Sequence, residues 1–548
     1  MKQYRKTINV FWNLRFDFTA LIKYIPEKYL RLLMILGSTD YGKYRIRVIP
    51  WKMFSVSIPA GKKRHTTTFY DIYQFYNMGL ESASARYLGR HKIEMNPDLF
   101  RSPKYVDQHR DKIKEYGILD AVLAKDLGVN MQDAVLEELG VSFNRPVSPA
   151  YLSGQYFAQT SYIPQVHGIP RGALEYYYKS YHGGRFEVGR RGRFEDAYLY
   201  DLTSAYPFEM SSLIDPTKGR WVKSRDILWD AHLGAVHCHV NIDDHYYGPL
   251  AYTFEPQLFP WGKWKGYFTL NELRFIRDNN LGRVLHGPGW YFYPSKIYHP
   301  FSKMRTLFEL REEYKKAGDP HELVLKICMS SLYGKTWQLT DMYRKTRDGE
   351  EWDYRYREDG EEWINYTLKH ETGRFWNPVF ASEITSMVRL RLMKMCLGYP
   401  VLGMSTDSVF SEDRIPNKVL REFGSWEERS HGDLLLLGSG RYTMKSEDED
   451  LTKNRGFESK LDLIELLEEN PRKKLIKIPA LRPVSLHEAL TRKSTPDMNF
   501  YEMMNAFVPR ELELDINFDQ KRIWDRDFKN ARDALKHNID SLAPLVEA

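Results

Sequence analysis

Two aspartates lie where apolar segments end, and together they could hold metal ions. Asp201 follows the apolar residues of YLYDLTSAYP at positions 198–207, where a carboxylate costs free energy unless a cation meets it. Asp407 lies in the Ser-Thr-Asp-Ser turn of VLGMSTDSVF, and we expect its carboxylate to be exposed. Carboxylates on adjacent strands could hold two Mg²⁺ ions about 3.5–4 Å apart, which favours in-line phosphoryl transfer. A structural role is the alternative, because aspartate is common in turns.

A basic segment with an aromatic tip lies between the two aspartates in the sequence. Lys326 and Tyr333 are seven residues apart, so we predict that they share one face of a helix. Arg311 and Lys315, spaced i and i+4, share a face of the preceding predicted helix. Such a face could bind a triphosphate with its base stacked above the tyrosine. The alternative is a solvated charged helix with a tyrosine in the core.

Apolar periodicity and turn residues predict the elements that carry these side chains. The first 150 residues form a mixed α/β unit, with a long amphipathic helix over residues 107–128. The segment PVSPAYLSG is typical of a linker, and YHGGRFEVGRRGRFED is typical of a Gly/Arg-rich hairpin. Strands dominate from residue 198 to about residue 295, and two helices joined by residues 318–320 follow.

The second half of the chain predicts an insertion before the second aspartate. Residues 337–375 are charged and aromatic, and they indicate a hairpin around Asp348-Gly349 or Asp359-Gly360. The segment ASEITSMVRLRLMKMCLG predicts an amphipathic helix that ends at Gly398. VLGMSTDSVF then follows as strand, turn and strand.

Composition places the chain among folded globular proteins of several domains. It has 548 residues, of which 42% are apolar and 14% aromatic, and this length exceeds what one hydrophobic core usually supports. The net charge of +7 favours a polyanionic partner, of which nucleic acid is the commonest. Three separated cysteines argue against a disulfide framework and for a reducing compartment. We expect a soluble, cytoplasmic protein without a membrane span, because no stretch approaches 18 apolar residues.

Three motifs, in this order, resemble those of the family B DNA polymerases. YDLTSAYP is similar to motif A (DxxSLYP), KICMSSLYG to motif B (KxxxNSxYG) and MSTDS to motif C (YxDTDS). YHGGRFE resembles the YxGG linker between the exonuclease and polymerase modules of that family. SGRYTMK with TKNRG resembles the primer-gripping KxY region, and FDQKRIW resembles a thumb signature. The motif spacing is closest to the protein-primed branch of phages, viruses and linear plasmids.

The resemblance implies an α/β and α+β multidomain fold. In that fold an RNase H-like exonuclease-type domain precedes a right-hand polymerase. The expected order is an exonuclease-type domain at 1–150, a linker at 151–197, palm with a first insertion at 198–300, fingers at 301–336, a second insertion at 337–375, palm at 376–445 and thumb at 446–548.

The resemblance also implies roles for individual residues. Asp201 and Asp407 would be the catalytic metal ligands for Mg²⁺, or for Mn²⁺ in its place, with the Leu202 carbonyl as a third ligand. Tyr206 would be a steric gate, since its ring would occupy the space that a ribose 2′-OH needs. The other residues that would bind the incoming nucleotide are Lys326, Arg311, Lys315, Ser204 and Tyr333. The residues that would contact DNA are Tyr181, Gly183, Gly184, Arg441, Tyr442 and Lys453.

Three positions depart from the family pattern. Ser405 stands where motif C usually has its first aspartate, and Ser330 stands where motif B usually has asparagine. Gly440 occupies the lysine position of KxY, with Arg441 beside it. Because Asp407 supplies the carboxylate that the family cannot lose, we expect catalysis to survive these changes.

The first 150 residues resemble a proofreading exonuclease from its second motif onward. NLRFD, with Asn13 and Asp17, is similar to motif II, and YGILD, with Tyr116 and Asp120, is similar to motif III. The DxE of motif I is missing, since residues 1–12 contain no acidic side chain. Two-metal hydrolysis needs that carboxylate pair. We therefore expect a weak or inactive nuclease, or a gene that once began further upstream.

The leading interpretation is a DNA-directed DNA polymerase of a virus or mobile element. Its expected partners are template and primer DNA and dNTPs, and we expect it to act as a monomer. A terminal protein is a candidate priming partner, because the insertion at 337–375 has room for an element of the protein-primed branch. A catalytically impaired DNA-binding remnant is the main alternative, and a nuclease without polymerisation is a weaker one.

Overall fold

The structure is a computed structural model, and contacts within it divide the chain into two compact units. The first unit comprises residues 1–162, 307–375 and 481–509, and the second comprises residues 163–306, 376–480 and 510–548. Each unit therefore joins segments that are far apart in the sequence. The residues that the structure describes are 7–96, 99–100, 102–252, 257–346, 351, 353–356, 364–416, 422–457, 461–491, 500–504 and 506–544.

Helices and strands occur mostly in runs of one type along the described chain. The helices are α1 Leu14–Ile22, α2 Glu27–Leu36, α3 Tyr73–Tyr76, α4 Leu80–Leu88, α5 Pro103–Gln108, α6 Arg110–Leu139, α7 Pro149–Thr160, α8 Arg171–Ser180, α9 Ala205–Ser212, α10 Leu270–Asp278, α11 Lys303–Ala317, α12 Glu322–Ser330, α13 Tyr333–Trp337, α14 Pro378–Gly398, α15 Leu463–Glu469, α16 Leu486–Thr491, α17 Phe500–Met503 and α18 Ala531–Lys536. The strands are β1 Asn9–Phe11, β2 Ser38–Tyr41, β3 Tyr44–Ile49, β4 Met53–Ala60, β5 Lys63–Asp71, β6 Arg185–Val188, β7 Arg190–Leu202, β8 Gly219–Ser224, β9 Leu233–Ile242, β10 Gly262–Thr269, β11 Gly282–Val284, β12 Gly289–Pro294, β13 Leu339–Lys345, β14 Tyr354–Tyr356, β15 Ile364–Thr372, β16 Val401–Thr406, β17 Ser408–Ser411, β18 Trp426–Gly438, β19 Arg441–Ser446, β20 Leu451–Asn454, β21 Leu475–Pro483, β22 Phe507–Asp515, β23 Arg522–Trp524 and β24 Asn538–Pro544.

The first unit contains a five-stranded sheet in the order β1-β5-β4-β3-β2. Strand β1 runs parallel to β5, and the other neighbours are antiparallel. Leu30 and Leu33 of α2 share one apolar cluster with Leu486 and Phe500 from much later in the chain. The long helix predicted at 107–128 exists as α6 but extends further, because its second half carries the buried residues that pack it onto the unit.

A separate three-stranded sheet occupies most of residues 339–372 in the first unit. Both β13 and β14 pair antiparallel with β15. The strands fall in the segment that was predicted to be an inserted hairpin. The two candidate turns, at 348–349 and 359–360, lie outside the described residues.

The second unit is built on a large sheet whose main path is β20-β19-β18-β7-β17-β16-β6. The long strand β7 pairs with β17 and β18, and near its start also with β24. Helix α14 ends at Gly398 as predicted, but it is buried on most of its surface rather than amphipathic. It packs against α8, α9 and α10, so few of its side chains remain for solvent.

Three expectations about local structure are wrong. PVSPAYLSG is not a linker, because the Ser148 side chain caps α7, which begins at Pro149. The Gly/Arg-rich segment is not a hairpin, because β6 pairs with β16 while β7 pairs with β17 and β18. Lys326 and Tyr333 do not share a helix, because α12 ends at Ser330 and Tyr333 begins α13.

Candidate active site

The two aspartates expected to bind metal lie close together in the large sheet, one on a strand and the other in the turn before the neighbouring strand. Asp201 is near the end of β7, and its partner on the antiparallel strand β17 is Ser408. Asp407 precedes Ser408 in the turn between β16 and β17, and its carbonyl accepts a hydrogen bond of 2.8 Å from the Leu202 N–H. The strand pairing therefore brings the two aspartates to the same place on the sheet.

Asp407 is half-buried, which corrects the expectation that its carboxylate is exposed. Thr406, whose φ of 60° is left-handed, donates its hydroxyl to Asp407 Oδ1 at 3.0 Å. Burial raises the pKa of Asp407, the Thr406 hydrogen bond opposes this rise, and the nearby charge of Asp201 adds to it. A partly buried carboxylate with a second carboxylate nearby fits a bound cation, which would offset both the burial and the repulsion at Asp407.

Cationic side chains already approach both carboxylates. Arg429, at a bulge of β18, donates to Asp201 Oδ2 at 3.2 Å. The charge of Lys453 counteracts the burial that raises the pKa of Asp407. Glu427 lies directly opposite Asp201 on β18 and adds a third carboxylate to this part of the sheet. Sequence reasoning missed Arg429 and Glu427, because motif spacing does not show which strand pairs with β7.

Two serines, Ser405 and Ser330, stand at motif positions where the family usually has aspartate and asparagine. Ser405 is 6% exposed, and among the described residues its hydroxyl has no hydrogen-bond partner. It is paired with Ser408 across the turn that holds Asp407. Ser330 donates its hydroxyl to the Lys326 carbonyl at 2.8 Å, back into its own helix. Neither serine supplies a charge to the site.

Tyr206 packs beside the carboxylates at the start of α9. It follows Ser204, which caps the helix with a left-handed φ of 54°, and such strain in a non-glycine residue is typical of functional sites. A Cβ at Gly184 would lie 2.8 Å from Tyr206 Oη and 2.9 Å from Thr406 Cγ2, so this close approach needs glycine. Burial raises the pKa of Tyr206, and the charge of Asp407 raises it further.

Arg389 of α14 holds the YxGG-like turn in place. Its guanidinium donates to the carbonyls of His182 at 2.6 Å and Gly183 at 2.9 Å, and to Glu272 Oε1 at 2.8 Å. Arg389 and Glu272 are both almost fully buried. The same turn carries Tyr181, which interacts electrostatically with the hydroxyl of Tyr206. Sequence reasoning did not single out Arg389, because it lies in a segment predicted only to be a helix.

Tyr442 and Lys453 lie beside the same carboxylates. They are cross-strand partners on β19 and β20. Burial raises the pKa of Tyr442, and the charge of Asp201 adds to the rise. The Tyr442 ring packs edge-on against Phe410 at 4.8 Å between centroids, which fixes its position next to β17.

Arg441 is held between aromatic rings rather than extended into solvent. Its guanidinium lies 3.6 Å from the Phe518 ring centroid and 4.9 Å from that of Phe457. Gly440, at the preceding turn, has a φ of 76°. A lysine there, as in the family pattern, would be strained in this left-handed conformation, so the turn geometry accounts for the glycine.

Four residues expected to bind the incoming nucleotide, Arg311, Lys315, Lys326 and Tyr333, lie in the first unit. Ser204, Tyr206 and the two aspartates lie in the second unit. Lys326 and Lys315 are exposed on α12 and α11. Arg311 is 13% exposed at its side chain and pairs with Glu322 at 3.1 Å. Tyr333 is half-buried at the first position of α13. These four side chains are therefore distributed over three helices.

The residues of exonuclease motif II surround a buried aspartate that sequence reasoning did not single out. Asp71 accepts hydrogen bonds from the backbone N–H groups of Asn13 at 3.1 Å, Leu14 at 3.0 Å and Tyr73 at 2.9 Å. Burial raises the pKa of Asp17, and the charge of Asp71 adds to the rise. Asp71 therefore acts as a cap for the start of α1 and α3.

A lysine contacts both residues of exonuclease motif III. Lys92 Nζ donates to Tyr116 Oη at 2.8 Å and lies 2.9 Å from Asp120 Oδ2. The carboxylate of Asp120 thus has a cationic partner within the protein. A different group of possible metal ligands in the first unit, Glu137, Glu138 and His321, is linked internally by a His321–Glu138 contact of 3.1 Å.

Comparison with known proteins shows what this chain is similar to. Residues 104–373 match the model of DNA polymerase type B, organellar and viral. The chain is 25% identical over 292 residues to the DNA polymerase of Acidianus bottle-shaped virus (isolate Italy/Pozzuoli). The aligned region covers 50% of this chain and 40% of that protein. It is 28% identical over 163 residues to a probable DNA polymerase of Podospora anserina. That aligned region covers 28% of this chain and 13% of that protein. The chain therefore spans less than half the length of both relatives.

Solved structures of Phi29 DNA polymerase share the fold. The complex with primer-template DNA and incoming nucleotide substrates is 14% identical, with a TM-score of 0.61, and the match covers 93% of this chain and 91% of that one. The complex with single-stranded DNA is 14% identical, with a TM-score of 0.57, and the match covers 83% of this chain and 84% of that one. No described helix is long and apolar enough to cross a membrane.

Nearly half of the chain, residues 104–373, is therefore similar to the type B DNA polymerases of organelles and viruses. The fold expected from the sequence, an exonuclease-type domain followed by palm, fingers and thumb, is confirmed by the likeness to the Phi29 enzyme. The organellar and viral type of the matched family agrees with the branch that the motif spacing indicates.

Proposed function

We propose that the chain is a DNA-directed DNA polymerase that extends a primer 3′-OH, or a protein hydroxyl, with deoxynucleotides. The observation that carries the proposal is the placement of Asp201 on β7 beside Asp407 in the turn that leads into β17, in a chain whose residues 104–373 match the type B DNA polymerases. The polymerase names of the matched relatives support the activity. The Phi29 complexes with primer-template DNA and nucleotides support DNA and dNTPs as partners.

The proposed cofactor is a pair of Mg²⁺ ions, with Mn²⁺ as a substitute. Asp201, Asp407 and the Leu202 carbonyl would hold them. When bound, such ions activate the attacking hydroxyl and neutralise charge on the leaving phosphates. The chain's own residues supply the positioning: strand pairing fixes Asp201, and the hydroxyl of Thr406 orients the Asp407 carboxylate.

The remaining site residues are proposed to position substrates. Tyr206 would exclude ribonucleotides, and Tyr333 would pack against the nascent base pair. The triphosphate would be bound by Lys326, Arg311, Lys315 and Ser204, and the DNA strands by Tyr181, Gly183, Gly184, Arg441, Tyr442 and Lys453. The domain boundaries given above, a monomeric state and a terminal protein that primes through the insertion at 337–375 belong to the same proposal.

Primer extension tests this function directly. A labelled primer on a DNA template should lengthen when the protein, dNTPs and Mg²⁺ are combined, and EDTA should stop it. Products of template length would support the polymerase. No extension with either Mg²⁺ or Mn²⁺, while DNA binding is intact, would instead support a DNA-binding remnant or a need for a priming partner.

Replacing Tyr206 with valine should admit ribonucleotides. The tyrosine ring packs against Gly184 and lies close to Asp407, where it would meet a 2′-OH. We expect the preference for dNTPs over rNTPs to fall about a hundredfold, equal to roughly 2.7 kcal/mol. Single-nucleotide extension with each substrate measures it. Tyr206→Phe keeps the ring and should keep the preference, and equal discrimination by both variants would contradict the gate.

The exonuclease-type domain should show little or no 3′-to-5′ digestion of single-stranded DNA. The motif I carboxylates are missing from the sequence, and the motif III residues Tyr116 and Asp120 are both contacted by Lys92. Incubating labelled DNA with Mg²⁺ and no dNTPs should leave it intact, for wild type and for Asp17→Ala alike. Strong Mg²⁺-dependent digestion that Asp17→Ala removes would overturn this prediction.

A further inference from the structure

A cavity of about 390 Å³ in the first unit lies outside all the residues discussed as site residues. It is formed by α7, by the end of α13 and by residues 373–375, which follow β15. Its polar lining consists of Lys335, Arg374, Tyr151 and three glutamines, Gln155, Gln159 and Gln338. None of the described residues that line it is acidic.

Lys335 is one of the two cationic side chains that line this cavity, and Arg374 is the other. Lys335 Nζ donates to Gln338 Oε1 at 3.4 Å, which is a long hydrogen bond to a neutral acceptor. Burial lowers the pKa of Lys335, and repulsion from Lys52 lowers it further. An anion placed beside Lys335 would stabilise its charged ammonium group, because the anion would offset both the partial desolvation and the repulsion from Lys52.

Gly154 of α7 makes room for this arrangement. A Cβ at that position would lie 3.0 Å from Phe375 Cε2 and 3.5 Å from Lys335 Cδ. A glycine in the middle of a helix costs about 1 kcal/mol relative to alanine. Here it lets the stem of Lys335 and the Phe375 ring approach the helix, so the cavity floor depends on the absence of a side chain.

We propose that this cavity binds a phosphate group, supplied by the backbone of single-stranded DNA. Lysine offers a point charge and arginine a planar fork of donors, and both suit phosphate oxygens. The glutamine amides could donate to the same oxygens or to a base. A free nucleotide offers the same chemistry. The choice of DNA rests on the proposed function, whereas the anion preference rests on the charges of the cavity.

Binding of a fluorescein-labelled single-stranded DNA, measured by anisotropy without Mg²⁺ or dNTPs, tests the site in the full chain. Lys335→Gln should weaken binding about fivefold to tenfold, and the salt slope of log K should fall by about 0.7, as expected for one lost phosphate contact on a single strand. Lys112→Gln removes the same charge from an exposed position on α6 and should change binding much less. Lys335→Arg should restore affinity.

Gly154→Ala provides an independent variant that keeps every charge. It should narrow the cavity and weaken DNA binding, and thermal unfolding should show that both variants are folded. Loss of fluorescent dATP binding in Lys335→Gln, with DNA binding unchanged, would assign the phosphate to a free nucleotide. Equal effects of Lys335→Gln and Lys112→Gln on both ligands would overturn the proposal. Because no extension is measured, these outcomes are separate from failure of the polymerase activity.

Discussion

Replacing Asp407 with asparagine is expected to reduce primer extension by at least about a thousandfold, equal to roughly 4 kcal/mol of lost transition-state stabilisation. The substitution keeps the volume and the Thr406 contact but removes one of the two carboxylates on β7 and the β16–β17 turn. Ser405 supplies no replacement, because it is uncharged and buried. Steady-state extension of a labelled primer at saturating dNTP measures the loss.

Asp413→Asn is the matched control for this experiment. Asp413 is exposed in the segment after β17, so the same loss of charge occurs a few residues away without touching the sheet. Its extension rate should stay within about twofold of wild type, or roughly 0.4 kcal/mol. If Asp407→Asn extended primers as fast as Asp413→Asn, the assignment of Asp407 as a metal ligand would be wrong.

Replacing Arg389 with methionine should lower the free energy of unfolding of the second unit by about 3–5 kcal/mol, because a buried carboxylate loses its cationic partner. Arg389 and Glu272 are 1% and 2% exposed and lie 2.8 Å apart. The variant also leaves the carbonyls of His182 and Gly183 without their donor. Urea unfolding followed by fluorescence measures the stability, and extension should fall as the YxGG-like turn loosens.

A second substitution separates the charge from the packing. Glu272→Gln in the Arg389→Met background removes the unpaired carboxylate and should recover a substantial part of the lost stability. Arg414→Met is a control, because Arg414 pairs with Glu428 at an exposed position, where ion pairs contribute about 0–1 kcal/mol. A double variant no more stable than Arg389→Met would show that the ion pair is not the cause.

The elements around Asp201 and Asp407 could be predicted because their signals are local. Apolar residues flank a polar turn in VLGMSTDSVF, and the observed order is strand, turn and strand around Asp407. The pair of helices joined at residues 318–320 follows equally from turn residues. The break between Lys326 and Tyr333 was missed, although serines that bond back to the helix, as Ser330 does, favour such an ending.

Contacts between distant segments could not be predicted from the same patterns. Tyr206 feels the charge of Asp407, and Gly184 of the YxGG-like turn approaches Tyr206 and Thr406, although these residues come from separate parts of the chain. Arg429 meets Asp201 only because β18 pairs with β7. The ion pair between Arg389 and Glu272 joins α14 to α10. The periodicity of apolar residues does not predict which charged residues of two helices will face each other.

The pairing of β24 with β7 has a consequence for synthesis of the protein. Residues Asn538–Asp540 pair with the first residues of β7, the strand that carries Asp201. The large sheet therefore cannot be completed until a segment hundreds of residues later has been translated. Contacts of such long sequence separation slow folding and expose unpaired strand edges meanwhile. Until residues 538–540 are synthesised, the first residues of β7 therefore lack this strand partner, and a polypeptide released before residue 538 would never acquire it.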